Sequence, residues 1–184
     1  MAKQSFSKTK KIIIGVLIIG GIIGIAIIPL IFAGGAFLGV YEFIARPFQI
    51  AGQSMSPNYK NGQYYLTSII HQDTKISRGD VVIYKDSAQD KDFIKRVIGL
   101  PGDSVMLQKG DVYLNGEKLD EPYVNGTKTY GSQFLKDDAT VVVPADSYFM
   151  MGDNRSYSED SRSEGFVPRV SLISKVTTCY HNCN

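Results

Sequence analysis

A chain of 184 residues with a formal net charge of +2 holds one ordinary domain plus an appendage, and lacks the broad basic field of a nucleic-acid binder. Two histidines exclude a three-histidine metal site, and neither a metal nor an organic cofactor is expected. The only cysteines, Cys179 and Cys183, stand in the last six residues, so no disulfide framework staples the fold.

Lys3, Lys8, Lys10 and Lys11 precede the first long apolar stretch with no acid among them, and residues 1–11 read as a basic tail. Residues 12–40, "IIIGVLIIGGIIGIAIIPLIFAGGAFLGV", contain no charge. About 20 apolar residues cross a hydrocarbon core of about 30 Å as a helix, so this run suffices for a transmembrane anchor. Pro29 and the glycines are tolerable in lipid, where neighbouring groups re-satisfy the backbone they free. Cleavable signal peptides have an apolar core of about 7–15 residues, half the length found here. On the far side Glu42 and Arg46 nearly cancel, so the lysine asymmetry puts the N-terminus in the cytoplasm. The expected arrangement is a single-pass protein of the plasma membrane, with residues 41–184 as an extracytoplasmic domain.

"AGQSMSPN", Ala51 to Asn58, follows about ten residues after the apolar run. Ser54 and Ser56 there make either a polar turn leaving the bilayer or a nucleophile held beside it. "DVVIYK" (80–85) and "DFIKRVIGL" (92–100) have the β-branched and aromatic content of strands. "GLPGD" (99–103) is a turn. "SVMLQKGDVYLNGEKL" reads as successive strands with Asn115-Gly116 as a tight hairpin turn, and "TVVVPADSYFMMGDN" as two more. Residues 120–138 are polar and read as a loop or insertion. No window after Val40 keeps a helical period. The fold class expected is mainly β: an antiparallel, coiled or barrel-like domain behind one N-terminal transmembrane helix.

A serine hydroxyl needs a base to become a nucleophile. His71 lies in a polar connection and His181 in the last four residues, so both read as surface histidines. Lys95 is the other candidate. Strand alternation puts it between Phe93 and Val97 on one face, with Ile94, Arg96 and Ile98 on the other. Apolar neighbours disfavour the ammonium and lower its pKa. A strand lysine can also send its head to solvent past such neighbours. "GDNRSYSEDSR" (152–162) is either a solvated polar loop or a scaffold. In the second reading Asp160 pairs with Arg162, and Ser158 bonds the neutral lysine amine.

The segments "RPFQIAGQSMSP", "RGDVVIY", "FIKRVIGLPGD" and "GDNRSYSEDSR", in that order behind one apolar span, resemble the bacterial type I signal peptidases, which use a Ser-Lys dyad. The likeness runs from about Arg46 to Lys175 and is that of a compact Gram-positive-like member. It implies Ser54 as nucleophile, Lys95 as general base, and Gly52, Gly152, Asp153, Asn154, Ser158, Asp160, Ser161 and Arg162 as oxyanion or structural support. It also implies cleavage of signal peptides from exported preproteins after small residues. The partners would then be preproteins and membrane lipid, with no nucleic acid; nothing in the sequence sets an oligomeric state.

Two departures from the family pattern carry expectations. Asn58 replaces a usual Thr, and a local hydrogen bond is expected to be lost. Gly52 stands where some members carry a serine that helps bind the oxyanion, so the hole would rest on the Ser54 backbone N–H and another donor. The terminal "CYHNCN" lies outside the pattern and could be a small disulfide or, with His181, a metal site. Two rival functions remain: a soluble self-cleaving Ser-Lys protease, which needs a DNA-binding headpiece in place of the span, and a tethered β-domain that only binds.

Overall fold

The computed structural model describes residues 45–86, 89–124 and 126–183. The expected basic tail, 1–11, and anchor, 12–40, lie outside the described residues. Among the described residues no helix is long and apolar enough to cross a membrane.

The runs of β-branched and aromatic residues become strands, all antiparallel. β1 (Ala45–Gln49), β2 (Tyr64–Ile69), β3 (Val81–Asp86) and β4 (Lys91–Gly99) belong to one sheet. The "GLPGD" turn ends β4: Asp103 N–H donates to the Leu100 carbonyl at 3.0 Å, and Leu100 N–H donates to the Asp103 carboxylate at 2.7 Å. Beyond it β5 (Ser104–Gln108), β6 (Asp111–Leu114), β7 (Glu117–Lys118) and β8 (Thr140–Val142) form a second sheet in the order β7-β6-β5-β8. Asn115 and Gly116 both take positive φ, 52° and 87°, as the hairpin between β6 and β7 requires.

The chain then returns to the first sheet through β9 (Ser147–Met151), β10 (Val167–Pro168) and β11 (Leu172–His181). The order there is β1-β2-β11-β3-β4-β9-β10, so the last strand is inserted between β2 and β3. Pairing therefore runs as two open ladders among the described residues. Among the described residues helix is confined to one turn, Ser161–Glu164, and two 3-10 turns, Arg155–Tyr157 and Arg169–Ser171.

β4 is where the core converges. Ile94 packs with Val81, Ile83 and Met55; Val97 packs with Val82, Tyr84 and Met150; Ile98 packs with Val105, Leu107 and Phe149. Neighbouring residues on β3 and β4 thus serve opposite faces, as period-2 alternation demands. A strand buried on both faces has no solvent for a lysine head to reach, and Lys95 is 2% exposed.

Candidate active site

The Ser54 turn hangs from this core. Ile50 N–H donates to the Gln63 carbonyl and Gly62 N–H to the Ile50 carbonyl, both at 2.8 Å, extending the β1–β2 pairing. Ile50 and Met55 are buried on either side of the turn and anchor it. Gly52 takes φ 100°, a conformation costly for other residues, and its N–H donates to Asn61 Oδ1 at 2.9 Å. Ser56 N–H closes the turn on the Gln53 carbonyl at 3.1 Å. Ser54 is half-buried, and its N–H takes no acceptor among the described residues.

Lys95 Nζ lies 3.1 Å from Ser54 Oγ. Across the ladder Lys95 faces Val82, and the Phe93 ring lies 5.2 Å from Nζ. Burial is the largest influence on this amine and lowers its pKa below the ordinary lysine value. The Asp160, Glu164 and Glu159 carboxylates oppose that shift, while the Arg162 charge assists it. The pair is thus within hydrogen-bond reach. A protonated amine donates to Oγ, whereas a neutral amine offers its lone pair to the hydroxyl proton.

The 152–162 segment is folded against this pair. Asp160 is fully buried and accepts from Arg162 Nε at 2.8 Å, Arg162 Nη2 at 2.9 Å and Gly152 N–H at 3.0 Å. Burial alone would raise the Asp160 pKa, but the Arg162 bonds and charge hold it below the ordinary carboxylate range. Arg162 also donates to the carbonyls of Tyr130, Arg155 and Ser158. Ser161 Oγ accepts from Met150 N–H at 3.0 Å. Asn154 reaches the Ser54 turn directly: its N–H donates to the Ser54 carbonyl at 2.9 Å, and Nδ2 to the Gln53 carbonyl at 3.0 Å.

Ser158 differs from expectation. Its hydroxyl is buried, does not bond Lys95, and lies close enough to the Asp160 carboxylate to help lower that group's pKa. It packs against Gly152, where an added Cβ would meet both Ser158 Oγ and the Ser54 carbonyl inside contact distance. Gly152→Ala is expected to push the Ser54 turn away from Lys95 and to lower a catalytic rate that depends on that pair about tenfold or more, a displacement near 1 Å being costly to a positioned pair. Catalytic rate against far-ultraviolet circular dichroism separates this from unfolding.

Asp153 makes no hydrogen bond to Ser54 or Lys95 among the described residues. It is buried and takes Arg96 in a bidentate pair, Nε at 2.8 Å and Nη2 at 2.6 Å. Arg96 follows Lys95 on β4, so alternation sends its side chain to the opposite face. Its guanidinium also lies 4.2 Å over the Tyr123 ring. Asn58 makes two long-range bonds of its own here. Asn58 Nδ2 donates to Asp153 Oδ2 at 2.9 Å and to the Tyr123 carbonyl at 2.8 Å, so the amide ties the Ser54 turn to both. An amide reaches farther than a threonine hydroxyl and carries two donor hydrogens.

The 120–138 stretch carries no strand or helix among its described residues, yet it buttresses the site. Glu121 pairs with the buried Arg155 at 2.6 Å, Thr129 Oγ1 accepts from Arg155 at 2.7 Å, and Leu135 is fully buried. Arg96, Asn61, Glu121 and Arg155 were not singled out as site residues by the sequence reading. The terminal cysteines are bonded to each other, Cys179 to Cys183, beside Tyr64 and Tyr65 of β2. That bond uses both thiols, so the metal alternative for them falls away.

The chain is 36% identical over 151 residues to signal peptidase IB of Staphylococcus aureus, covering 75% of this chain and 78% of the relative. It is 37% identical over 145 residues to a probable signal peptidase I-2 of Synechocystis, covering 75% of this chain and 64% of that protein. A solved signal peptidase I from Enterococcus faecalis V583 is 31% identical, with a TM-score of 0.49, covering 56% of this chain and 98% of that one. The sequence model of the signal peptidase, peptidase S26 family matches residues 22–181. The chain belongs to that family.

Proposed function

We propose that this chain is a membrane-anchored serine endopeptidase that removes signal peptides from exported preproteins by a Ser54–Lys95 dyad. The observation that carries the reading is the 3.1 Å separation between Ser54 Oγ and the amine of a lysine only 2% exposed. An ordinary lysine, with a pKa of about 10.4, is neutral about once in a thousand near pH 7. Each unit of depression multiplies the active base about tenfold. Burial supplies depression of that kind and keeps the amine beside its target.

In this reading the residues before the scissile bond add as a strand to an edge of the domain, and small side chains are selected there. Neutral Lys95 accepts the Ser54 proton as Oγ attacks the carbonyl, and the developing oxyanion meets the Ser54 N–H. Collapse breaks the C–N bond, and the leaving amine takes the proton from Lys95. Lys95 then accepts a proton from water, the hydroxide attacks the ester, and Ser54 regains its hydrogen. Residues 12–40 act as a single helical anchor, with 1–11 cytoplasmic and 41–184 outside the plasma membrane. The Cys179–Cys183 bond suits that oxidising side. Holding enzyme and signal peptide in one bilayer plane raises their effective concentration.

The test uses the full chain in detergent with a preprotein. Wild type is expected to cut it and to react with a serine-trapping probe at Ser54. Ser54→Ala should do neither while keeping its circular dichroism. Undiminished cleavage by Ser54→Ala would sink the proposal, and wild type that neither cuts nor labels would favour the tethered binding domain.

A further inference from the structure

The oxyanion site of this chain poses a problem that its geometry resolves. Gly52 has no hydroxyl, and its N–H is already given to Asn61 Oδ1. It cannot serve the substrate without breaking that bond. The Ser54 N–H is the donor left without an acceptor among the described residues, so its direction matters more than in a site with a serine at position 52.

A trans peptide is planar, and its C=O and N–H point in opposite directions. Whatever holds the Gln53 carbonyl therefore aims the Ser54 N–H. The Gln53 carbonyl accepts two hydrogen bonds, from Ser56 N–H at 3.1 Å and from Asn154 Nδ2 at 3.0 Å. The first lies within the turn and moves with it. The second comes from a segment fixed by the buried Asp160–Arg162 pair and by Lys95's neighbour strand β9. Asn154 also holds the Ser54 carbonyl through its own backbone N–H, so it grips the peptides on both sides of the nucleophile's Cα.

We infer that Asn154 is the positioning residue of the oxyanion site: its side-chain amide fixes the Gln53–Ser54 peptide and so points the Ser54 N–H at the developing oxyanion. The inference rests on Ser54 being the nucleophile. Asn154 touches neither substrate nor Lys95 in this scheme. Its effect should appear in transition-state stabilisation alone, because only there is the aimed N–H fully used.

The experiment measures preprotein cleavage by full-length wild type, Asn154→Ala and Asn154→Asp in detergent. Active sites are counted with a serine-directed covalent probe. A lost oxyanion donor costs about 10²–10³-fold in kcat; loosening one that the turn still partly holds should cost about tenfold. For Asn154→Ala the expected result is kcat per titrated site down about tenfold, with KM within about twofold and the acid limb of the pH profile unmoved. Inhibition by a substrate-like peptide aldehyde, which forms a tetrahedral adduct on the serine, should weaken by the same factor as kcat. Asn154→Asp keeps the shape but replaces the donor by an acceptor, so it should lose at least as much.

The inference is overturned by a kcat per site equal to wild type in either variant, or, in the uncharged Asn154→Ala, by a loss confined to KM or by a displaced acid limb, which would mean action through Lys95. Ser54→Ala run beside them separates the two ideas. If it still cleaves, the nucleophile assignment has failed. If it is dead while Asn154→Ala is unimpaired, only the role of Asn154 has failed.

Discussion

Lys95→Met is expected to leave preprotein uncut, with kcat/KM down by about 10³-fold or more, and to be more stable than the wild type. The two effects share one cause. Lys95 is buried among Val82, Phe93 and Val97, and burial depresses its pKa. Between the folded value and about 10.4 the unfolded chain holds a proton that the folded lysine has released, so stability rises with pH across that window. The penalty is complete below the folded pKa and fades as pH approaches about 10.4. Met has nearly the same length and no charge, so the variant escapes the penalty. Urea midpoints should favour Lys95→Met most at mildly acidic pH, with the gap closing toward pH 10. Wild-type cleavage should rise with pH along a limb centred below the ordinary lysine value. Lys95→Arg should also be inactive, since a guanidinium stays charged throughout. A limb centred at an ordinary lysine pKa, or a gap in stability independent of pH, would contradict a base activated by burial.

How much of this could be read from residues alone follows from the kind of force involved. β3 to β9 were legible because alternation and turn residues act over a few positions: Asn115-Gly116 needs positive φ, and it appears as the hairpin between β6 and β7. The insertion of β11 between β2 and β3 was not legible, because pairing partners about a hundred residues apart leave no local trace. At the site, Ser54, Lys95, Asp160 and Arg162 came from motifs, and the structure places them together. The role of Arg96 was hidden because its partner Asp153 lies 57 residues away. Residues 120–138 looked merely polar. Their polarity is spent on Arg155, and their single buried leucine at position 135 anchors them to the second sheet's core. The bonds of Asn58 were not legible either, because its acceptors on Tyr123 and Asp153 lie 65 and 95 residues away.

Asp160→Asn should cost about 3–5 kcal/mol of stability and yet shift the acid limb of cleavage to lower pH. Removing one partner of a buried ion pair leaves the other charge uncompensated, here the Arg162 guanidinium. Asn keeps one oxygen for Gly152 N–H or Arg162 but not the bidentate pair. The pH effect runs in the direction useful to catalysis. The Asp160 carboxylate raises the Lys95 pKa, the Arg162 charge lowers it, and neutralising Asp160 leaves only the lowering influence of the two. Asp160 therefore opposes the neutral amine on which the proposed mechanism depends. Its retention is explained by geometry: it holds Gly152 against the Ser54 carbonyl and Arg162 against three backbone carbonyls of the surrounding loops. A folded Asp160→Asn protein should then show a lower kcat at its optimum despite a larger fraction of neutral Lys95 at pH 7. Chemical denaturation and the pH–rate profile measure the two effects separately. An acid limb that moves upward, or a variant as stable as the wild type, would show that the Asp160–Arg162 pair is not what holds Ser54 and Lys95 in register.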